Sequence, residues 1–219
     1  MPLARESFPY LIAGISVGAV ALLMGFPWLG GAALALSGFV AFFFRDPIRE
    51  IPQEPGIFVS PADGRVTEVR SLVPSGGTRI SIFLSLFDVH INRSPAAGRI
   101  ERVEYREGRF LPANLSRASL ENERNDITLA TGLGPVQISQ IAGVVARRIV
   151  CWKKEGDEVA TGERIGLIQF GSRLVVDLPP GVSPEVSVGA RVKGGSSIVG
   201  VARVPALRKE EAVAQEGGR

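Results

Sequence analysis

A chain of 219 residues, 45% of them hydrophobic, is long enough for one globular domain plus an appendage rather than two full domains. Its 25 basic and 22 acidic side chains leave a net charge of +3, which makes no electrostatic case for nucleic acid as a partner. One cysteine, Cys151, and one histidine, His90, exclude an internal disulfide framework, multi-cysteine metal sites and His-rich metal centres.

Residues Ser7 to Phe44 carry no charge, which excludes a wholly soluble chain. The stretch breaks at Gly25-Phe26-Pro27 into two apolar runs, Phe8 to Met24 and Trp28 to Phe44. Each is about 26 Å long as a helix, against a hydrocarbon core of about 30 Å. An α-helical membrane hairpin is therefore expected over residues 1–45, and its marginal length suits a spanning and a re-entrant form alike. Arg5 precedes it and Arg45 and Arg49 follow it, while the turn is uncharged, so both ends and all that follows are expected on the cytoplasmic side of the cell membrane. The unpaired Cys151 suits that compartment. A cleaved signal peptide is the competing reading; the thin basic region, the long apolar stretch and the lack of a small-residue site before Phe42-Phe43-Phe44 argue against it.

From Asp46 the chain reads as short strands punctuated by glycine and proline, a mainly β domain over residues 46–208. Strands are predicted at Arg65 to Arg70, Arg79 to Leu86, Arg99 to Tyr105, Val136 to Ile141, Ala146 to Trp152, Ile165 to Phe170, Leu174 to Leu178 and Ser197 to Val204. Pro112 to Asn125, rich in Asn, Ser, Arg and Glu, reads as a long loop. Lys209 to Arg219 reads as a disordered polar tail, residues 209–219. An internal repeat joins Gly156-x-x-Val159-x-x-Gly162-x-x-Ile165 to Gly189-x-x-Val192-x-x-Gly195-x-x-Ile198. Glycines so spaced suit tight turns between short strands that change sheets, as in hybrid-barrel-like folds.

Three positions bear chemistry. Gly195-Ser196-Ser197 reads either as a turn of small polar residues or as a nucleophile, since glycine leaves the preceding carbonyl open to the serine hydroxyl. His90, in FDVHINRSP, is the sole candidate for histidine-dependent proton transfer, although a lone histidine also serves in packing. Asp63, in SPADGRV, is either an Asp-Gly turn or an orienting carboxylate. Together they supply the parts of a Ser-His-Asp relay, whose meeting in space sequence does not decide. Arg45, Arg49 and Arg93 are open to two readings, topology signals or holders of a lipid phosphate.

The runs FFRDP, SPADGRV, FDVHINRSP, NERN (residues 122–125), QIAGVVARRIV (140–150), GDEVATGERIGLIQFGSR (156–173) and GGSS (194–197), in that order, resemble the phosphatidylserine decarboxylase proenzymes of the short, archaeal-like type. The resemblance implies a self-processing, pyruvoyl-dependent carboxy-lyase of phospholipid biosynthesis. It implies scission between Gly195 and Ser196 into a β chain (1–195) and an α chain (196–219), with Ser196 converted to a pyruvoyl group. The substrate, phosphatidylserine, would then form a Schiff base with that group, lose carbon dioxide and leave as phosphatidylethanolamine. Asp63 and His90 would assist self-cleavage, and His90 would reprotonate the product carbon. Neither a metal nor pyridoxal phosphate is implied, and a homo-oligomer is compatible with the reading. Longer relatives carry a second histidine three positions after the one matching His90, where this chain has Arg93, a group that stays protonated and cannot be a general base. A membrane-tethered binding module is the alternative of another class, and it predicts an intact chain.

Overall fold

The computed structural model describes residues 2–108, 122–143, 148–169 and 172–202. Two apolar helices, α1 (Phe8–Leu23) and α2 (Pro27–Phe43), follow a single 3-10 turn at Arg5–Ser7. Each has a proline in its first turn, where no backbone N–H is needed. Small residues let the helices approach closely: a Cβ on Gly30 would lie 2.5 Å from Leu22 Cγ. Ile12, Leu23, Trp28 and Leu36 remain exposed on the outside of the hairpin. Arg5–Leu23 is long and apolar enough to cross a membrane, and Pro27–Phe43 is shorter. At the base, Leu3 and Arg45 form an antiparallel bridge and Ala4 N donates to Phe44 O at 2.9 Å.

The remainder is mainly β, as the turn-punctuated pattern predicts. Its strands are β1 (Ile57–Val59), β2 (Gly64–Ser71), β3 (Thr78–Leu84), β4 (Ile91–Arg93), β5 (Gly98–Arg106), β6 (Arg124–Thr131) and β7 (Gly134–Ile141). They continue with β8 (Arg148–Cys151), β9 (Glu158–Val159), β10 (Arg164–Gln169), β11 (Ser172–Leu178), β12 (Val182–Pro184), β13 (Arg191–Val192) and β14 (Ile198–Ala202). A curled antiparallel sheet has the order β13-β2-β3-β11-β7-β6-β5-β9, and two three-stranded sheets, β1-β14-β12 and β4-β10-β8, accompany it. Alternate residues of the large sheet, among them Val66, Ile80, Ile82, Ile127, Leu129, Ile138, Leu174 and Val176, form the main core. The hairpin base belongs to a second cluster, where Ala4, Phe43 and Phe44 pack on Val89, Ile91 and Leu167.

The strand orders read the same from both ends. β4, β5, β6, β7, β8, β9 and β10 occupy the places that β1, β2, β3, β11, β12, β13 and β14 occupy in the other half. One half is continuous, from β4 to β10, and is inserted between β3 and β11 of its counterpart. The repeat seen in the sequence is one part of this symmetry. Another is Ser60-Pro61-Ala62-Asp63-Gly64 against Ser94-Pro95-Ala96-Ala97-Gly98, which hydrogen-bond alike: Ser60 Oγ to Ala62 O and Ser94 Oγ to Ala96 O, each at 2.7 Å.

All eight predicted strands have a counterpart, with ends moved by a few residues and with 146–147, 170 and 203–204 outside the described residues. The predicted loop to Asn125 is corrected at its end: β6 begins at Arg124, and residues 112–121 are not described. Polar Asn125 and Asp126 hide that strand from an apolar pattern, yet both are buried. Asn125 Nδ2 donates to Gln140 Oε1 at 2.9 Å, and Asp126 accepts from Ser139 Oγ and the Arg124 guanidinium. The tail, 209–219, lies outside the described residues.

Candidate active site

Gly195-Ser196 sits at the tip of the turn between β13 and β14. Gly195 has φ of 79°, the left-handed region that glycine enters without steric cost. Its N–H donates to Ser60 O at 2.8 Å, while Ser196 N and Ser197 N both donate to Lys193 O, at 3.1 and 3.0 Å. Lys193 N in turn donates to Ser197 Oγ at 2.9 Å. The matching turn of the other half, Ala160 to Glu163, repeats the first bonds: Gly162 N to Ser94 O at 2.8 Å and Glu163 N to Ala160 O at 3.1 Å.

The two turns then part. Ser94 N donates to Glu163 O, whereas Ser60 N donates to Ser197 O, one residue further than the repeat predicts. Strand pairing carries the same slip: Arg164 faces Arg93 in one half and Ile198 faces Val59 in the other. The turn containing Ser196 thus holds one residue more than its counterpart. The structural match of buried Ile165 is Val199, not Ile198 as the fixed offset suggests.

Asp63 meets this turn directly, its Oδ1 accepting from Gly194 N at 2.7 Å. Arg49 Nη2 donates to both its oxygens, at 2.9 and 2.7 Å, and both side chains are largely buried. Burial outweighs these bonds and pushes the Asp63 carboxyl above the usual range, which makes it a stronger base than an exposed aspartate. The pocket behind the turn is tight. A Cβ on Gly194 would lie 3.2 Å from Ala62 Cα and 3.3 Å from Asp63 Oδ1, and one on Gly195 would lie 2.8 Å from Arg93 Cδ. A larger residue at Gly194 requires these neighbours to give by a few tenths of an ångström.

His90 stands at the hairpin base, with Nδ1 3.0 Å from Asp88 O. Nδ1 as the donor in that bond leaves the lone pair on Nε2. Desolvation holds the imidazole at a pKa of about 4, so it is neutral at pH 7. Asp63 is hydrogen-bonded to the turn that carries Ser196. Asp88, whose backbone oxygen bonds His90, has its carboxylate 3.5 Å from Arg191 of β13. Asp88 was not singled out from sequence, although an acid two residues before the lone histidine is a usable signal.

Arg93 has a structural task. It donates to Gly162 O at 3.0 Å, to Asp46 Oδ1 at 3.0 Å and to Pro47 O at 3.2 Å, and Asp46 also pairs with Arg164 at 2.7 Å. Arg45 donates to Phe42 O and Phe87 O, at 2.8 and 2.6 Å. Arg49, Arg45 and Arg93 are thus engaged by the protein, two of them in places the topology reading does not foresee. In front of the turn an open groove of about 640 Å³ is lined by Ile48, Arg49, Glu50, Ile51, Pro52, Glu54, Lys193 and Ser196. It offers two cations, one of them paired with Asp63, two carboxylates and apolar surface. Residues 36–200, most of the chain, match the family described as phosphatidylserine decarboxylase, and the chain belongs to that family of carboxy-lyases.

Proposed function

We propose that this family member decarboxylates phosphatidylserine at a pyruvoyl group that it makes by breaking its own Gly195–Ser196 bond. The observation that carries this reading is the extra residue in the turn that Asp63 grips, set behind an open groove lined in part by Ser196 and Lys193. Asp63, a carboxylate made more basic by burial, takes the proton from Ser196 Oγ. Ser196 Oγ attacks the Gly195 carbonyl carbon, and the chain passes from amide to ester as the Ser196 nitrogen leaves. Loss of the Ser196 Cα proton then expels the Gly195 carboxylate, leaving dehydroalanine at the new terminus. Water converts that residue to a ketone and releases ammonia. The products are a β chain, 1–195, and an α chain, 196–219.

The pyruvoyl carbonyl supplies an electron sink for the carbanion left when carbon dioxide departs. The protein's own groups handle protons and orientation. Lys193 faces the anionic phosphate of the headgroup in the groove, while Arg49 stays paired with Asp63. His90, neutral at rest, takes a proton at Nε2 from the incoming ammonium and returns it to Cα after carbon dioxide has left. Residues 1–45 anchor residues 46–208 to the cytoplasmic face of the cell membrane, which confines the search for lipid to two dimensions. Assay of the full chain on vesicles of phosphatidylserine and phosphatidylcholine tests the reading. Carbon dioxide release with appearance of phosphatidylethanolamine, absent in Ser196→Ala, is the expected result. A cleaved protein inert on those vesicles would direct attention to another carboxylated amine.

A further inference from the structure

His90 is walled by the hairpin. It lies in the segment between β3 and β4, and the ring of Phe43, the last residue of α2, sits 4.1 Å from the imidazole centroid at 35°. Both residues are almost wholly buried, Phe43 at 1% and His90 at 2% exposure. The contact extends outward: Phe44 meets Phe43 edge-on at 5.1 Å, and Tyr10 of α1 stacks on Phe44 at 5.9 Å. A continuous file of rings therefore runs from the first helix to the imidazole. Around it close Val89, Ile91 and Leu167, and Ile168 N donates to His90 O at 3.4 Å.

We propose that Phe43 is a positioning residue for His90, and that the seat of the hairpin and the seat of the imidazole are one packed unit. Removing the Phe43 ring frees the imidazole to rotate and admits water beside it, while the groove, which Phe43 does not line, keeps its form. Detachment of the hairpin does the same, so the anchor sets the catalytic histidine as well as the location of the domain. The kinetic part of this claim rests on the decarboxylase reading; the packing part does not. The charged groups acting on His90 are Asp88, from its own segment, and Arg45, from the hairpin exit. Asp88 is held by Ser85 N and Oγ at 2.8 and 2.6 Å, and Arg45 by Phe87 O and by Phe42 O at the end of α2, none of these bonds being to the Phe43 ring. Neither replaces the apolar wall that the ring provides.

The chain has one histidine, so the imidazole resonances of the full-length protein in detergent micelles report His90 alone. The wild type titrates near pH 4, Phe43→Leu moves the midpoint up by at least about one unit, and Phe43→Ala moves it further toward 6.5. Trp28→Ala, at the exposed tip of the hairpin, leaves the midpoint in place. On phosphatidylserine vesicles kcat falls in the same order with KM unchanged. A Phe43→Leu midpoint equal to the wild type in folded protein overturns the proposal, as does an equal shift in Trp28→Ala; if Phe43→Ala does not fold, Phe43→Leu decides alone. A wild type that titrates as expected yet is inert on the vesicles overturns the enzyme reading and leaves the packing claim standing.

Discussion

Two halves of this domain share one backbone plan and differ in what their turns hold. In the half built from β1, β2, β3 and β11 to β14, Asp63 caps Gly194 N and the turn is longer by one residue. In the inserted half, Ala97 stands in place of Asp63, and Glu163 caps its own turn through Ala160 N at 2.8 Å while pairing with Lys153. The inserted half thus retains the closed, self-satisfied version of the structure. Two differences separate the candidate reactive turn from its counterpart: an added residue before the strand return, and a buried carboxylate brought across from the neighbouring loop. In the inserted half, His90 precedes β4 where Gly56 precedes β1 in its counterpart. Each half therefore supplies groups that the other lacks.

The largest expected contrast lies in the turn residues themselves. Ser196→Ala abolishes both cleavage and decarboxylation, whereas Glu163→Ala in the matching turn leaves cleavage intact, as read by denaturing gel and vesicle assay. Next comes Asp63: Asp63→Ala slows cleavage by roughly 10²- to 10⁴-fold, the range of a lost general base, in a pulse-chase of newly made chain. Ala97→Asp in the other half gives no cleavage at Gly162-Glu163. A pH dependence follows from the histidine that the inserted half provides. The folded pKa of about 4 lies below the unfolded value of 6.5, so the contribution is full above pH 6.5 and is lost as pH falls through 4. The loss is roughly 3 kcal/mol, and urea midpoints measured across that range for wild type and His90→Gln check it. The smallest contrast is the paired glycine test. Gly195→Ala and Gly162→Ala, at φ of 79° and 73°, each cost about 1–2 kcal/mol in thermal melts, but only Gly195→Ala also slows cleavage.

Composition and periodicity placed the hairpin and eight of the strands because those elements follow apolar patterns that water enforces. β6 escaped them because Asn125 and Asp126 are buried on partners, Gln140 and Ser139, that are distant in sequence. The glycine repeat was legible, yet a fixed offset could not show the extra residue, and it paired Ile165 with Ile198 where the fold pairs it with Val199. Ser196 and Asp63 stood out by residue type. Arg49 as the partner of Asp63 did not, since it lies in irregular chain between the hairpin and β1 whose course no local pattern dictates. Nor did the buried task of Arg93, which depends on Asp46 and Gly162 meeting beside it.

The central claim is that the longer, Asp63-capped turn breaks its own chain. Denaturing mass spectrometry of the purified full-length protein tests it most directly. The account predicts two chains, 1–195 and 196–219, the second beginning with the mass of a pyruvoyl group in place of serine, and a single intact chain in Ser196→Ala. A single intact wild-type chain recovered in active, membrane-extracted material would contradict it.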